Sequence, residues 1–189
     1  MDVSLNLLLL EDVVADAELV VHELKRSGFK VNPRRVETRD DFLQELSQSS
    51  TDLILADYSL PQFNALEALQ LLREVKSSVP LLLVTGSNSE EVAVQCMQEG
   101  AEDYILKSSL KRLPSAVQKT LSKFRSERQR RETEVALRRS EEQYRLITEN
   151  TRDLICLLNL GGNFLYATPS FELVLGHPVD ELLGSSCPD

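Results

Sequence analysis

Asp52-Leu53-Ile54-Leu55-Ala56-Asp57-Tyr58-Ser59-Leu60-Pro61 decides how the amino-terminal part of the chain folds. A short apolar run bounded by turn formers suits a strand buried on both faces, as in a parallel sheet covered by helices. Asp57 then falls at the strand's carboxyl end, the edge at which open α/β sheets place their sites.

Working outward, Leu5 to Leu10 is a second such run and ends in Glu11-Asp12, while Leu81-Leu82-Leu83-Val84 delivers Thr85 and Tyr104-Ile105-Leu106 delivers Lys107. Phe29 to Val36 reads as a more exposed strand. Between these runs the apolar spacing becomes helical. Leu19, Val20 and Leu24 mark Ala15 to Ser27, which Gly28 closes in the left-handed conformation. Phe42, Leu43 and Leu46 follow a Thr38 cap with Asp40 and Asp41 in the first turn. Leu66, Leu69, Leu72 and Val75 stripe Asn64 to Lys76, and a capping box of Ser87 and Glu90 opens a helix that ends at Gly100. Pro114 suits the first turn of a last helix carrying Val117, Leu121 and Phe124. Strand and helix alternate five times, which predicts an α/β, doubly wound, five-stranded parallel sheet with helices on both faces.

Composition narrows the function. The chain of 189 residues has room for one or two domains. Its 30 acidic and 21 basic residues give a net charge of -9, which argues against a nucleic-acid partner. Cys96, Cys156 and Cys187 lie far apart and outside any paired metal spacing, which fits a reduced cytoplasmic setting. Leu7 to Leu10 is far too short for a membrane span or a signal sequence, so a cytoplasmic protein without a membrane partner is expected.

The strand exits bring Glu11, Asp12, Asp57, Thr85 and Lys107 to one edge. Two carboxylates about 4 Å apart repel by about 4 kcal/mol at an effective dielectric near 20, so a hard divalent cation is the natural companion. Magnesium takes oxygen ligands and keeps water, which suits one or two carboxylates, a backbone carbonyl and a phosphoryl oxygen. Asp57 is then placed to attack a phosphoryl group, with Thr85 and Lys107 contacting its oxygens. Taken singly, these residues read as a turn cap, a strand-end hydroxyl and a surface charge. Together they are improbable as coincidence.

In order and spacing, Glu11-Asp12, Asp57, Thr85 and Lys107 resemble the acidic pair, phosphoacceptor, hydroxyl and lysine of two-component response regulator receiver domains. The resemblance covers residues 4 to 122 and implies the flavodoxin-like variant of the doubly wound fold. It implies that Asp57 takes phosphate from a sensor histidine kinase or phosphotransfer protein. It also implies that Mg2+ is held by Asp12 and Asp57 directly, by Glu11 through water and by the carbonyl of Ser59. Thr85 and Tyr104 match the family's switch pair. Two positions depart from the pattern: Ala65 replaces the usual glycine, and Ser108 replaces the proline that usually follows the lysine in a cis bond.

From Lys123 to Arg145 the chain is highly charged and free of glycine and proline, as a continuous helix would be. Glu127 with Arg131, Glu134 with Arg138, and Glu141 with Arg145 recur every seven residues. That period suggests a coiled coil and a homodimer, its seam running through Leu113, Val117, Thr120 and Phe124 and resuming at Leu137, Tyr144 and Ile147. A solvated single helix, or a break at the Ser140 and Gln143 capping box, is the alternative.

Asp153 to Leu158 and Phe164 to Thr168 read as a hairpin around Gly161-Gly162. With Pro169-Ser170-Phe171, Leu175-Gly176 and Glu181-Leu182-Leu183-Gly184 behind it, the segment resembles the first half of a PAS domain. His177 is read as a turn residue and Cys156 as core, and so short a segment is expected to be an incomplete domain. The predicted organisation is a receiver at residues 1–122, a helical linker at 123–148 and an α+β PAS fragment at 149–189.

The expected function is a phosphoacceptor signalling domain with no separate catalytic domain, relaying a change through the linker to the PAS module. One rival is a receiver-like scaffold or dimerisation module that works without phosphate. Another is a phosphohydrolase with an aspartyl nucleophile, but Ser59 stands where such enzymes usually carry a second aspartate.

Overall fold

The computed structural model describes residues 4–48, 50–86, 90–150, 153–176 and 178–186. The chain divides into two compact units, residues 1–127 and 128–189. In the first unit β1 (Ser4–Leu10), β2 (Lys30–Val36), β3 (Leu53–Ala56), β4 (Leu81–Thr85) and β5 (Asp103–Leu106) form one parallel sheet. The strand order is β2-β1-β3-β4-β5. The connections are α1 (Val14–Arg26), α2 (Arg39–Gln48), α3 (Ala65–Glu74) and α4 (Glu90–Gln98), and α5 runs from Leu113 to Asn150.

The period of two along each buried strand sorts its side chains between two cores. Leu8, Leu10, Ile54, Ala56, Leu81 and Leu83 join Phe42, Leu69, Leu72 and Cys96 on the α2, α3 and α4 side. Leu7, Leu9, Leu53, Leu55, Leu82, Val84 and Ile105 join Val20, Leu24, Leu113, Val117 and Leu121 on the α1 and α5 side. Both faces of β3 and β4 are covered, which is why these strands read as continuous apolar runs.

The helix ends follow local chemistry. Gly28 (φ 92°) and Gly100 (φ 100°) adopt the left-handed conformation after α1 and α4. The N–H groups of Gly28 and Phe29 return to Lys25 and Leu24, and those of Gly100 and Ala101 to Met97 and Cys96, which satisfies the last carbonyls of each helix. Thr38 Oγ1 accepts from the Asp41 N–H, as expected of a cap. Ser87, the expected cap of α4, lies outside the described residues.

Two predicted stripes depart from expectation at one end or edge. Leu19 is exposed and Ala17 takes its place against the sheet; Val75 is exposed and Leu71 is buried instead. Val20 and Leu24 on α1 and Leu69 and Leu72 on α3 are buried as predicted, and the direction of the sheet, not the spacing of leucines alone, selects the rest of each inward face.

Helix α5 is continuous through Ser140, so the break allowed there does not occur. Ion pairs on it include Arg128 with Glu132 and Arg138 with Glu142, with the base first, and Lys123 with Glu102. Three of the seven expected seam positions are used elsewhere: Leu113 and Val117 are fully buried in the receiver core, and Thr120 is buried too.

In the second unit β6 (Cys156–Leu158) pairs antiparallel with β7 (Phe164–Ala167). Asn159 Oδ1 accepts from the N–H groups of Gly161 and Asn163, closing a turn in which Gly162 has φ 80°. Phe164, Ala167 and Phe171, the last from α6 (Ser170–Leu175), make a small core with half-buried Cys156. A short α7 (Val179–Leu182) packs Val179 and Leu182 against it. His177 and Cys187 lie outside the described residues. Among the described residues no helix is long and apolar enough to cross a membrane.

Candidate functional site

Register alone brings the site together. Leu10 pairs with Ala56 and Ala56 with Leu83, so the residues that follow leave the sheet side by side. The Asp57 N–H donates to the Leu10 carbonyl at 2.9 Å, and the Glu11 N–H to the Val36 carbonyl at 3.2 Å. Asp57 and Glu11 are thereby held at the carboxyl edge of adjacent strands, 6% and 5% exposed.

The loop after Asp57 is fixed at both ends. Asp57 Oδ1 accepts from the Ser59 N–H at 3.1 Å, and the Asp57 carbonyl accepts from the Ala65 N–H at 3.2 Å. Asn64 and Glu67 close a reciprocal capping box at the start of α3. Ala65 opens that helix fully buried, and Lys76 is the sole described non-glycine residue with positive φ, so alanine stands there without strain.

Lys107 follows β5 as the first residue of a short 3-10 segment, Lys107–Arg112. No cis peptide bond occurs among the described residues, so the departure at Ser108 coincides with a trans peptide. The Lys107 ammonium lies 2.8 Å from Asp57 Oδ2, 2.8 Å from Glu11 Oε2 and 2.5 Å from Asp16 Oδ2. Its three N–H donors thus meet three carboxylates.

Electrostatics follow from that arrangement. Burial pushes the Glu11 carboxyl above the usual carboxylate range and the Asp57 charge adds to it, while the Lys107 hydrogen bond and charge pull the other way. Burial alone would lower Lys107, but its hydrogen bonds to Asp16, Asp57 and Glu11 outweigh that and hold the ammonium above its ordinary value.

Thr85 is buried at the end of β4, one residue beyond the level of Asp57. Tyr104 is 38% exposed and lines a groove of 480 Å³ with Ala93, Val94, Met97 and Gln98. Asp12 and Ser59 are exposed at the rim. Among the described residues, no three of His, Cys, Asp or Glu are grouped to hold a metal ion. The Lys107 ammonium lies between Glu11 and Asp57.

Sequence reasoning missed Asp16 and the Asn64 box. Asn-x-x-Glu before an apolar stripe was the available signal for the box. For Asp16, an acid in the first turn after the Glu11-Asp12 loop reads as a partner of the helix dipole, and only the fold turns it towards Lys107.

Comparison with known proteins gives the family. Residues 7–118 match the family model of the response regulator receiver domain, and residues 142–189 match that of the PAS fold. The chain belongs to the response regulator receiver domain family. It is 32% identical over 104 residues to the phosphate regulon transcriptional regulatory protein PhoB of Klebsiella pneumoniae, covering 54% of this chain and 44% of that protein. The chain therefore spans less than half the length of that relative.

Among solved structures, the signal receiver domain of a Luxo repressor protein from Vibrio parahaemolyticus is similar at TM-score 0.59 and 27% identity, over 66% of this chain and 95% of that one. A response regulator from Burkholderia pseudomallei, solved with a phosphorylated aspartic acid, calcium ion and citrate, shares the fold at TM-score 0.53 and 24% identity, over 66% of this chain and 72% of that one. The PhoB relative is named as a transcriptional regulator, so the expected lack of a nucleic-acid partner, drawn from net charge, does not extend to such longer proteins.

Proposed function

We propose that this chain is a phosphoacceptor module in which Asp57 receives a phosphoryl group from the phosphohistidine of a sensor kinase or phosphotransfer protein. The observation that carries the reading is the contact of Lys107 with both Asp57 and Glu11 at the carboxyl edge of the sheet. In the transfer, an Asp57 carboxylate oxygen forms a bond to phosphorus, the bond from phosphorus to the histidine nitrogen breaks, and its electron pair leaves with the imidazole. Lys107 and the Thr85 hydroxyl donate to the phosphoryl oxygens as they gain charge.

The donor chemistry fits a hard divalent cation: Glu11 and Asp57 already share one cation, and oxygen is their sole ligand atom. Asp12, Asp57 and the Ser59 carbonyl would hold Mg2+ directly and Glu11 through water. When bound, Mg2+ neutralises charge between the carboxylate and the incoming phosphate.

The phosphoryl group adds nearly two negative charges. Movement of Thr85 towards it and of Tyr104 inward from its groove would bias the face of α4, β5 and α5 by about 1 to 3 kcal/mol. The extended part of α5 would carry that bias to the PAS region, as a homodimer through the linker, with the domain boundaries near residues 122 and 148.

The test is intact mass and sedimentation with Mg2+ and acetyl phosphate or beryllofluoride, beside Asp57→Asn. One phosphoryl addition that the variant lacks, with a change in association or shape, is the expected result. No addition to either protein would turn the assignment to a phosphate-independent scaffold.

A further inference from the structure

The geometry points to Asp16 as a positioning residue that retains the Lys107 ammonium at the site when a divalent cation takes over Glu11 and Asp57. This rests on the phosphoacceptor reading above. One ammonium meets three carboxylates, but the three are not equivalent. Glu11 and Asp57 are buried at strand ends and belong to the proposed cation ligands. Asp16 comes from the first turn of α1, its side chain is 32% exposed, and it lies outside that set.

A divalent cation held directly by Asp57 and through water by Glu11 would draw on the two carboxylates that now accept from the ammonium, so the two cations would compete for them. Binding of the ion would then weaken the hold of Glu11 and Asp57 on Lys107. Without Asp16, the ammonium has two choices: to stay and oppose the ion, or to leave for water. With Asp16 it keeps one charge-assisted hydrogen bond while giving up the other two, and remains beside Asp57 where phosphoryl oxygens arrive.

The anchor is a rigid one. The Asp16 N–H donates to the Val13 carbonyl at 3.1 Å, and the Val13 N–H to Glu11 Oε1 at 3.2 Å, so the loop that carries Glu11 also sets the start of α1.

A double-mutant cycle on the full chain separates this role from a plain field effect. Mg2+ affinity is measured by calorimetry for the parent, Asp16→Asn, Lys107→Ala and the double variant, with Asp16→Glu as the conservative rescue. Asp16→Asn should weaken Mg2+ binding about threefold to tenfold in the parent and less than about twofold in the Lys107→Ala background, the size expected of contacting charges. Asp16→Glu should restore most of the loss.

An equal loss in both backgrounds would show a distant charge acting without Lys107, and no loss in either would show no role; both overturn the inference. If the parent neither binds Mg2+ nor takes beryllofluoride at Asp57, the phosphoacceptor reading itself fails, an outcome visible before any change at Asp16.

Discussion

Lys107 Nζ lies 2.8 Å from Asp57 Oδ2, although the two residues are 50 apart in the chain. The pair is mostly shielded from water, with side-chain exposures of 18% and 6%. Removing the cation leaves Asp57, Glu11 and Asp16 facing one another. Lys107→Ala should lower unfolding free energy by about 1–3 kcal/mol near pH 7, the cost of leaving buried charged groups unpaired. Mg2+ should raise the melting temperature of this variant more than that of the parent, which differential scanning calorimetry with and without the ion will show.

Glu11 gives a prediction with a definite sign. Its carboxyl is raised in the folded state above the unfolded value of 4.5, chiefly by burial. The folded state therefore binds the proton more tightly, and the stability this confers below pH 4.5 is lost as pH rises through the higher folded value. Glu11→Gln should accordingly stabilise the protein at pH 7, by about 1 kcal/mol on the usual scale of single substitutions, with the gain fading below the unfolded value. Urea titrations at neutral and acid pH measure it, and a variant less stable than the parent at pH 7 would contradict the burial argument.

Lys107 works in the opposite range. Its folded value is raised from 10.5, so its contribution is complete below pH 10.5 and is lost only as pH rises through the folded value. The stability difference between the parent and Lys107→Ala should therefore stay level from neutral pH up to that point in guanidinium titrations.

The loop that follows Asp57 depends on the Asn64 and Glu67 box. Asn64→Ala should cost about 1 kcal/mol, as loss of a side-chain cap does. Ala65→Gly, although it restores the residue most usual in the family, should also destabilise by about 0.5–1 kcal/mol, because a buried methyl and helical restriction are lost with no strain to relieve. A rise in the melting temperature of Ala65→Gly would show that strain is present after all.

Leu137, Tyr144 and Ile147 are 60%, 69% and 65% exposed on α5, while Leu113 and Val117 are committed to the receiver core. If the linker pairs with a second copy, it does so through this later stretch. Leu137→Lys combined with Ile147→Lys should shift sedimentation towards monomer and leave the receiver's Mg2+ affinity within about twofold of the parent. Unchanged sedimentation would remove the linker as a dimer contact.

Much of the fold was legible in the chain itself. The runs at Leu5–Leu10, Leu53–Ala56 and Leu81–Val84 are strands because a strand buried on both faces tolerates no polar break, and turn formers bound each run. Gly28 and Gly100 ended helices because their positive φ has little competition from other residues. The order of Glu11, Asp57, Thr85 and Lys107 followed from strands whose carboxyl ends must share an edge.

What the sequence alone could not decide was direction. Leu19 and Val75 fit a helical stripe yet face water, because the sheet beneath selects which side of each helix is buried. Asp16 is one acid among many until α1 packs against β1 and turns it towards Lys107. Val117 fits a heptad seam and a sheet-facing stripe equally well, and burial in the receiver core settles which it serves. Local spacing determines the elements, since it acts through a few neighbouring bonds; contacts across 50 or 91 positions arise only when the elements pack together.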